Sequence, residues 1–152
     1  ERDAARFLVV VAVGVDGFSA IAGIYGARGV NQAQVDAGQA IRETARRDAI
    51  ISRLGEAEFL IADTFTSADP APLVDRVLGA IAATPTGMTA SVGVVSTPLR
   101  PLAGRPPYLV LDEVIDLAVA AMAQARAAGG NQARFVLRPL LSTDGMTDDA
   151  DG

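Results

Sequence analysis

From Phe7 to Val15 the chain carries a nearly unbroken apolar run rich in Val, and this run limits the folds open to the rest. A strand that alternates apolar and polar residues can face water on one side. A strand that is apolar throughout needs cover on both, and so belongs at the centre of a sheet. The run closes at Gly14-Val15-Asp16-Gly17. No apolar run in the chain is longer than the stretch Phe7 to Val13, which is far short of the roughly 20 residues of a membrane-spanning helix. It lacks the basic leader and small-residue cleavage site of a signal peptide. A reducing, cytoplasmic setting is expected, either for the chain itself or as the cytoplasmic portion of a longer, membrane-anchored protein. The chain opens almost directly on a core strand, which points to a piece of something longer.

With 152 residues, half of them apolar, one ordered domain is expected. Cys and His are both absent, which excludes disulfides, thiol nucleophiles, His-dependent triads and the usual zinc sites. All basic residues are Arg, so phosphate binding through a P-loop Lys is excluded as well. A net charge of −5 argues against non-specific nucleic-acid binding, which requires phosphate neutralisation.

Beyond the first strand, Phe18, Ile21, Ala22 and Tyr25 fall at helical spacing, and Gly26 and Gly29 interrupt them. A second helix, about 32–47, carries Val35, Ala37, Ile41 and Ala45 inward, with Gly38 marking a close packing contact. Ile50, Ile51 and Leu54 lead to Gly55, and Phe59, Leu60 and Ile61 begin the next run. This is a hairpin whose short turn uses Gly55 for a positive φ. Asp69-Pro70 starts a helix to about Ala83, with Leu73, Val74, Val77, Leu78 and Ile81 on one stripe. Met88 to Val95 reads as a strand, and Pro98, Pro101, Gly104, Pro106 and Pro107 mark a loop. A long helix, about 111–128, has its stripe at Leu111, Val114, Ile115, Ala118, Met122 and Ala125 and stops at Gly129. Arg134 to Leu137 forms a last strand. The tail from Ser142, with Asp144, Asp148, Asp149 and Asp151, is too polar to pack and is expected to be disordered. The domain is therefore assigned to residues 1–139 and the acidic tail to 140–152.

The resulting order, β-α-α-β-β-α-β-α-β, contains a βαββαβ unit, an α+β plait of the ferredoxin-like kind with an antiparallel sheet and helices packed on one face. Such a plait sets Gly14 to Gly17 beside Gly55 to Glu58. The acids Glu56 and Glu58 at that hairpin are open to two readings, solvated tip residues or a metal or phosphate site.

Four pieces in order resemble the GGDEF domain of the diguanylate cyclase family over Phe7 to about Val136. VGVDGFSAIAGIYG is similar to D-x-D-x-F-K-x-I-N-D-x-Y-G at Asp16, Phe18, Ile21, Tyr25 and Gly26. SRLGEAEF is similar to R-x-G-G-[DE]-E-F at Arg53, Gly55, Glu58 and Phe59. TASVGVV matches T-x-S-x-G-V at Thr89, Ser91, Gly93 and Val94. AMAQARAAGGN matches the motif A-[LM]-Y-x-A-K-x-x-G-x-N at Ala121, Met122, Ala125, Gly129 and Asn131. The helix motif D-x-L-T-G-L-x-N-R that opens such domains is not in this chain.

The resemblance implies a nucleotidyl-cyclase fold. Active members join two GTP into cyclic di-GMP with a divalent metal held by two carboxylates. Here those positions are Gly14 and Ala57, which offer no side-chain oxygen to a hard cation. Without the metal, the triphosphate is not neutralised and the attacking hydroxyl is not activated. The signature reads Gly55, Glu56, Ala57, Glu58, Phe59, with an acid in place of its second Gly. The guanine-reading positions are Ala22 and Asn31, the phosphate-binding Lys becomes Arg126, and the Lys after the Phe becomes Ser19. Asp16, Glu56 and Glu58 are the candidates for a rebuilt metal site, since Asp16 on a continuing strand shares the side of Gly14. A one-residue shift reverses a side chain's face, which argues against Glu56. The inhibitory R-x-x-D motif of the family maps to Arg46 and Ala49, with Asp48 one residue out of register. Arg46 and Asp48 either clamp a phosphate or form the basic end of a helix.

The expectation is a degenerate domain without catalysis and without bound Mg²⁺ or GTP, serving signalling, regulation or homodimerisation beside an attached signalling domain. Alternatives of different class are an effector that binds GTP or cyclic di-GMP, and a residual cyclase.

Overall fold

The computed structural model describes residues 6–67, 69–99, 104, 107–137 and 139. The apolar run forms strand β1 (Phe7–Val15) and is buried throughout except at Leu8. It pairs antiparallel with β3 (Glu58–Phe65) on one side and β4 (Ala90–Pro98) on the other. Strand β2 (Ile50–Gly55) extends the sheet beyond β3, and β5 (Gln132–Leu137) runs parallel to β4 at the opposite edge. The order is β2-β3-β1-β4-β5, that of a βαββαβ plait with one strand added.

Both faces of β1 are covered, as its composition requires. Val9, Val11, Val13 and Val15 pack under helix α1 (Phe18–Thr44) and helix α2 (Ala71–Ala82), through Ala33, Ala37, Ile41, Leu73, Val74, Val77 and Ile81. Val10 and Ala12 face helix α3 (Pro107–Ala127), through Val110, Val114, Ala118 and Met122. The one-face expectation thus holds for α1 and α2 of the plait. Helix α3 corrects it, because the chain crosses to the other face before β5.

Helix α1 is interrupted at Gly26 (φ 73, ψ −172), the break that the glycines at 26 and 29 mark in the sequence. Its second half ends at Thr44, three residues early. Ala37 and Ile41 are buried as expected, but Val35 is 58% exposed. The buried stripe is Ala33, Ala37, Ala40 and Ile41, and Val35 lies off it, lining an open cleft with Arg42, Ile51 and Phe59. A Cβ on Gly38 would stand 3.4 Å from Phe59, an ordinary contact.

Gly55 sits opposite Glu58, so Glu56 and Ala57 make the two-residue turn. Gly55 is not in the positive-φ region, which corrects the role read for it; the register instead shifts between Arg53 and Gly55. Helix α2 starts at Ala71 with Pro70 at its N-cap position, one residue later than expected, and the Ala71 N–H donates to Asp69 Oδ1 (3.0 Å) just outside it. Helix α3 begins a turn earlier than expected. Val110 and Ala121 join its buried stripe, and Leu111 is exposed. Gly129, Gly130 and Asn131 follow it at φ 122, 77 and 53, and the Gly130 N–H closes on the Ala125 carbonyl (3.0 Å).

Gly93 sets how closely α3 approaches. A Cβ there would fall on the backbone of Ala118, Ala121 and Met122. No helix among the described residues is long and apolar enough to cross a membrane. The acidic tail and part of the proline-rich loop lie outside the described residues.

Candidate functional site

The end of β1 brings the singled-out segments together. Gly14 pairs with Glu58 on one side and Ser91 on the other. Past it, the Val15 N–H donates to the Ala57 carbonyl and the Asp16 N–H to the Thr89 carbonyl, both at 2.9 Å. The hairpin tip therefore closes over the end of the strand, as the topology predicts. Ala57 is buried under it, whereas Glu56 is exposed.

Asp16 is fully engaged. Its Oδ1 accepts the Ser91 hydroxyl (2.6 Å), and its Oδ2 accepts the Thr89 hydroxyl (2.9 Å) and the Asn131 N–H (2.8 Å). The carboxylate thus joins β1, β4 and the turn after α3. Gly130 leaves room for it, since a Cβ there would stand 2.8 Å from Oδ2.

Arg126, in the last turn of α3, reaches back over Gly14. Its Nη1 donates to Glu58 Oε2 at 3.3 Å. A Cβ built on Gly14 would meet Arg126 Nη2, with Arg126 Cζ at 3.3 Å and Met122 Sδ at 3.0 Å. A guanidinium thus fills the space into which a side chain at position 14 would project.

These residues do not fit a divalent cation. Gly14 and Ala57 carry no oxygen donor, Asp16 has both oxygens occupied, and a positive group lies over Gly14. Among the described residues, no three acidic side chains converge as a metal ion would need.

Arg53 of the signature binds the turn to α1. Its Nη2 donates to the Glu56 carbonyl (2.7 Å) and to Gln34 Oε1 (2.6 Å), and the guanidinium stacks 5.6 Å from the Phe59 ring centre. Arg46 lies beyond the end of α1, not within it, so it is not a helix-terminal charge. It forms a two-pronged pair with Asp63 on β3, Nε to Oδ2 at 2.9 Å and Nη2 to Oδ1 at 3.2 Å, and lies over Phe65. The Asp63 side chain is only 6% exposed. Asp48 is exposed in the connection to β2, and Asn31 is exposed on α1, in none of these contacts.

Sequence reasoning missed Asp63, Gln34 and the function of Thr89 and Ser91. The two hydroxyls carried a signal, since both occupy fixed places in the T-x-S-x-G piece. Asp63 and Gln34 carried none, because only the fold brings them to their arginines.

The family model described as the GGDEF domain of diguanylate cyclases matches residues 1–132. Among solved structures, the diguanylate cyclase SiaD from Pseudomonas aeruginosa, in complex with its activator SiaC, is 21% identical with a TM-score of 0.74. The match covers 90% of this chain and 52% of that one, so the chain spans about half of SiaD's length. The GGDEF domain of DgcB from Caulobacter crescentus, in complex with cyclic di-GMP, is 16% identical (TM-score 0.71, covering 86% and 78%). The active GGEEF domain of a Vibrio cholerae diguanylate cyclase is 18% identical (TM-score 0.70, covering 85% and 82%). At these identities the likeness shows the fold. No curated protein matches the chain at a significant level.

Proposed function

Because the chain belongs to the GGDEF-domain family of diguanylate cyclases, we propose that it is a non-catalytic member, a regulatory or dimerisation module in cyclic di-GMP signalling. The observation that carries this reading is the end of β1. Gly14 presents no carboxylate, Ala57 is a buried methyl, and Arg126 lies across the gap. Phosphoryl transfer from GTP depends on neutralising the triphosphate and positioning the attacking hydroxyl, and this site has no ligand set for the ion that would do so. The expected cofactor set is accordingly empty. What the domain keeps is its shape: a rigid sheet that an attached signalling domain, or a second copy, can use as a platform.

The test is incubation with GTP and Mg²⁺ or Mn²⁺ at protein in excess over nucleotide, followed by chromatography. No cyclic di-GMP and no linear intermediate are expected. Product from the wild-type chain, even a single turnover, sinks the reading.

An effector that binds cyclic di-GMP through Arg46 is the second reading, since Arg46 falls at the Arg position of the family's inhibitory motif and its side chain is 54% exposed. Arg46 is held in a two-pronged pair with Asp63, and turning the guanidinium toward a phosphate would weaken the pairing of that nearly buried carboxylate. Calorimetric titration is therefore expected to show no cyclic di-GMP binding in the micromolar range. Micromolar binding that disappears in Arg46→Ala would establish the effector instead.

A further inference from the structure

We propose that the Arg126 guanidinium is the resident cation of this site, so that a side chain of the protein holds the place of a dissociable ion. The inference deepens the non-catalytic reading and rests on it. Three observations converge. Gly14 projects toward the Arg126 guanidinium, and Met122 closes the adjacent space. The guanidinium pairs with Glu58, the residue opposite Gly14 in the sheet. Glu58 is therefore an acid of the signature whose charge is balanced from within the chain.

The chemistry of the group makes the substitution one-way. A guanidinium has donors but no acceptor, so it pairs with Glu58 without acting as a ligand to a metal. An entering divalent cation would meet a like charge and would have to take Glu58 from it. A carboxylate newly placed at position 14 would meet the guanidinium first, forming an ion pair where an open ligand was intended. Restoring an acid alone should therefore leave the site closed to metal. Removing the arginine as well should open it.

Mn²⁺ is the probe, followed by electron paramagnetic resonance and calorimetry, with the fold of each variant checked by circular dichroism. Wild type and Gly14→Asp should both bind Mn²⁺ at least about tenfold more weakly than Gly14→Asp/Arg126→Ala, in which the new acid and Glu58 face each other without a competing charge. Equal binding by Gly14→Asp and the double variant overturns the proposal. So does tight binding by wild type, or no binding by the double variant. A thermal-melting cycle decides the case if the double variant does not fold. Gly14→Asp should be better tolerated with Arg126 present than in an Arg126→Gln background, with the difference shrinking in high salt. An identical shift in both backgrounds also overturns it. Cyclic di-GMP made from GTP by wild type would sink the functional reading, whereas these outcomes concern Arg126 alone.

Discussion

Asp16 is the residue on which the end of the sheet depends. It receives the Ser91 hydroxyl from β4, the Thr89 hydroxyl from just before that strand and one amide from the turn after α3, so one carboxylate holds segments far apart in sequence. Hydrogen bonds to a charged acceptor are worth more than neutral ones, and removal strands the donors, Ser91 being fully buried. Asp16→Ala should cost about 2–4 kcal/mol in urea unfolding, and Asp16→Asn less, since an amide oxygen still accepts. A loss below about 0.5 kcal/mol for Asp16→Ala would show that the contacts are incidental. Counting two residues from Gly14 along a continuing strand places Asp16 among the metal candidates. The strand ends at Val15, and Asp16 lies in a turn, where the alternation of faces no longer applies. The candidate site was legible as a set of neighbours, because topology alone places the hairpin beside β1. The direction in which each side chain points was not. Arg46 teaches the same: its position was legible, but its partner Asp63 was supplied by the fold.

Two glycines in different elements separate a required absence of side chain from an accidental one. Gly93 lies on β4 directly beneath the α3 backbone, which cannot yield as a flexible side chain could. Gly93→Ala should therefore cost about 3 kcal/mol or more, at the upper end of overpacking effects, with a corresponding fall in melting temperature. Gly79 lies in α2 with nothing near the position of an added Cβ. There Ala removes only the conformational freedom of glycine, and Gly79→Ala should stabilise the domain by about 0.5–1 kcal/mol. Opposite signs for the two substitutions are the expected result; two losses of similar size would mean that α2 needs Gly79 for a reason the packing does not explain. Element by element, strands were the more legible. The apolar runs of β1 and β3 state their own burial, whereas a helix can rotate its stripe by one residue at little local cost. Leu111 gave way to Val110 in this way, whereas Val35 simply lies off the stripe of Ala33, Ala37 and Ile41.

Over the whole molecule, the β1 run demanded cover on both faces, and the chain meets that demand with two separate apolar clusters, α1 and α2 on one side and α3 on the other. The clusters share strands β1, β3 and β4 but no side chain, because alternate residues of each strand serve different faces. Strand position then ranks local stability. β1 is hydrogen-bonded along both edges and covered on both faces, whereas β2 and β5 each pair along one edge only among the described residues and carry exposed Ile50, Phe135 and Leu137. Amide exchange should follow that ranking: Val9 to Val13 exchanging only through global unfolding, β2 and β5 faster by about two orders of magnitude or more. A face-specific lesion should also act on its own face. In Gly93→Ala, exchange in α3 and β5 should accelerate well beyond that in α2, because the added methyl strikes the α3 backbone and leaves the α1–α2 cluster in place. Equal acceleration on both faces would mean that the sheet transmits the strain and that the domain opens as one unit. Confined acceleration would identify α3 and β5 as the part that can loosen while the plait stays folded. Because Arg126 closes the end of β1 from α3, that is also the motion that would lift it from Gly14.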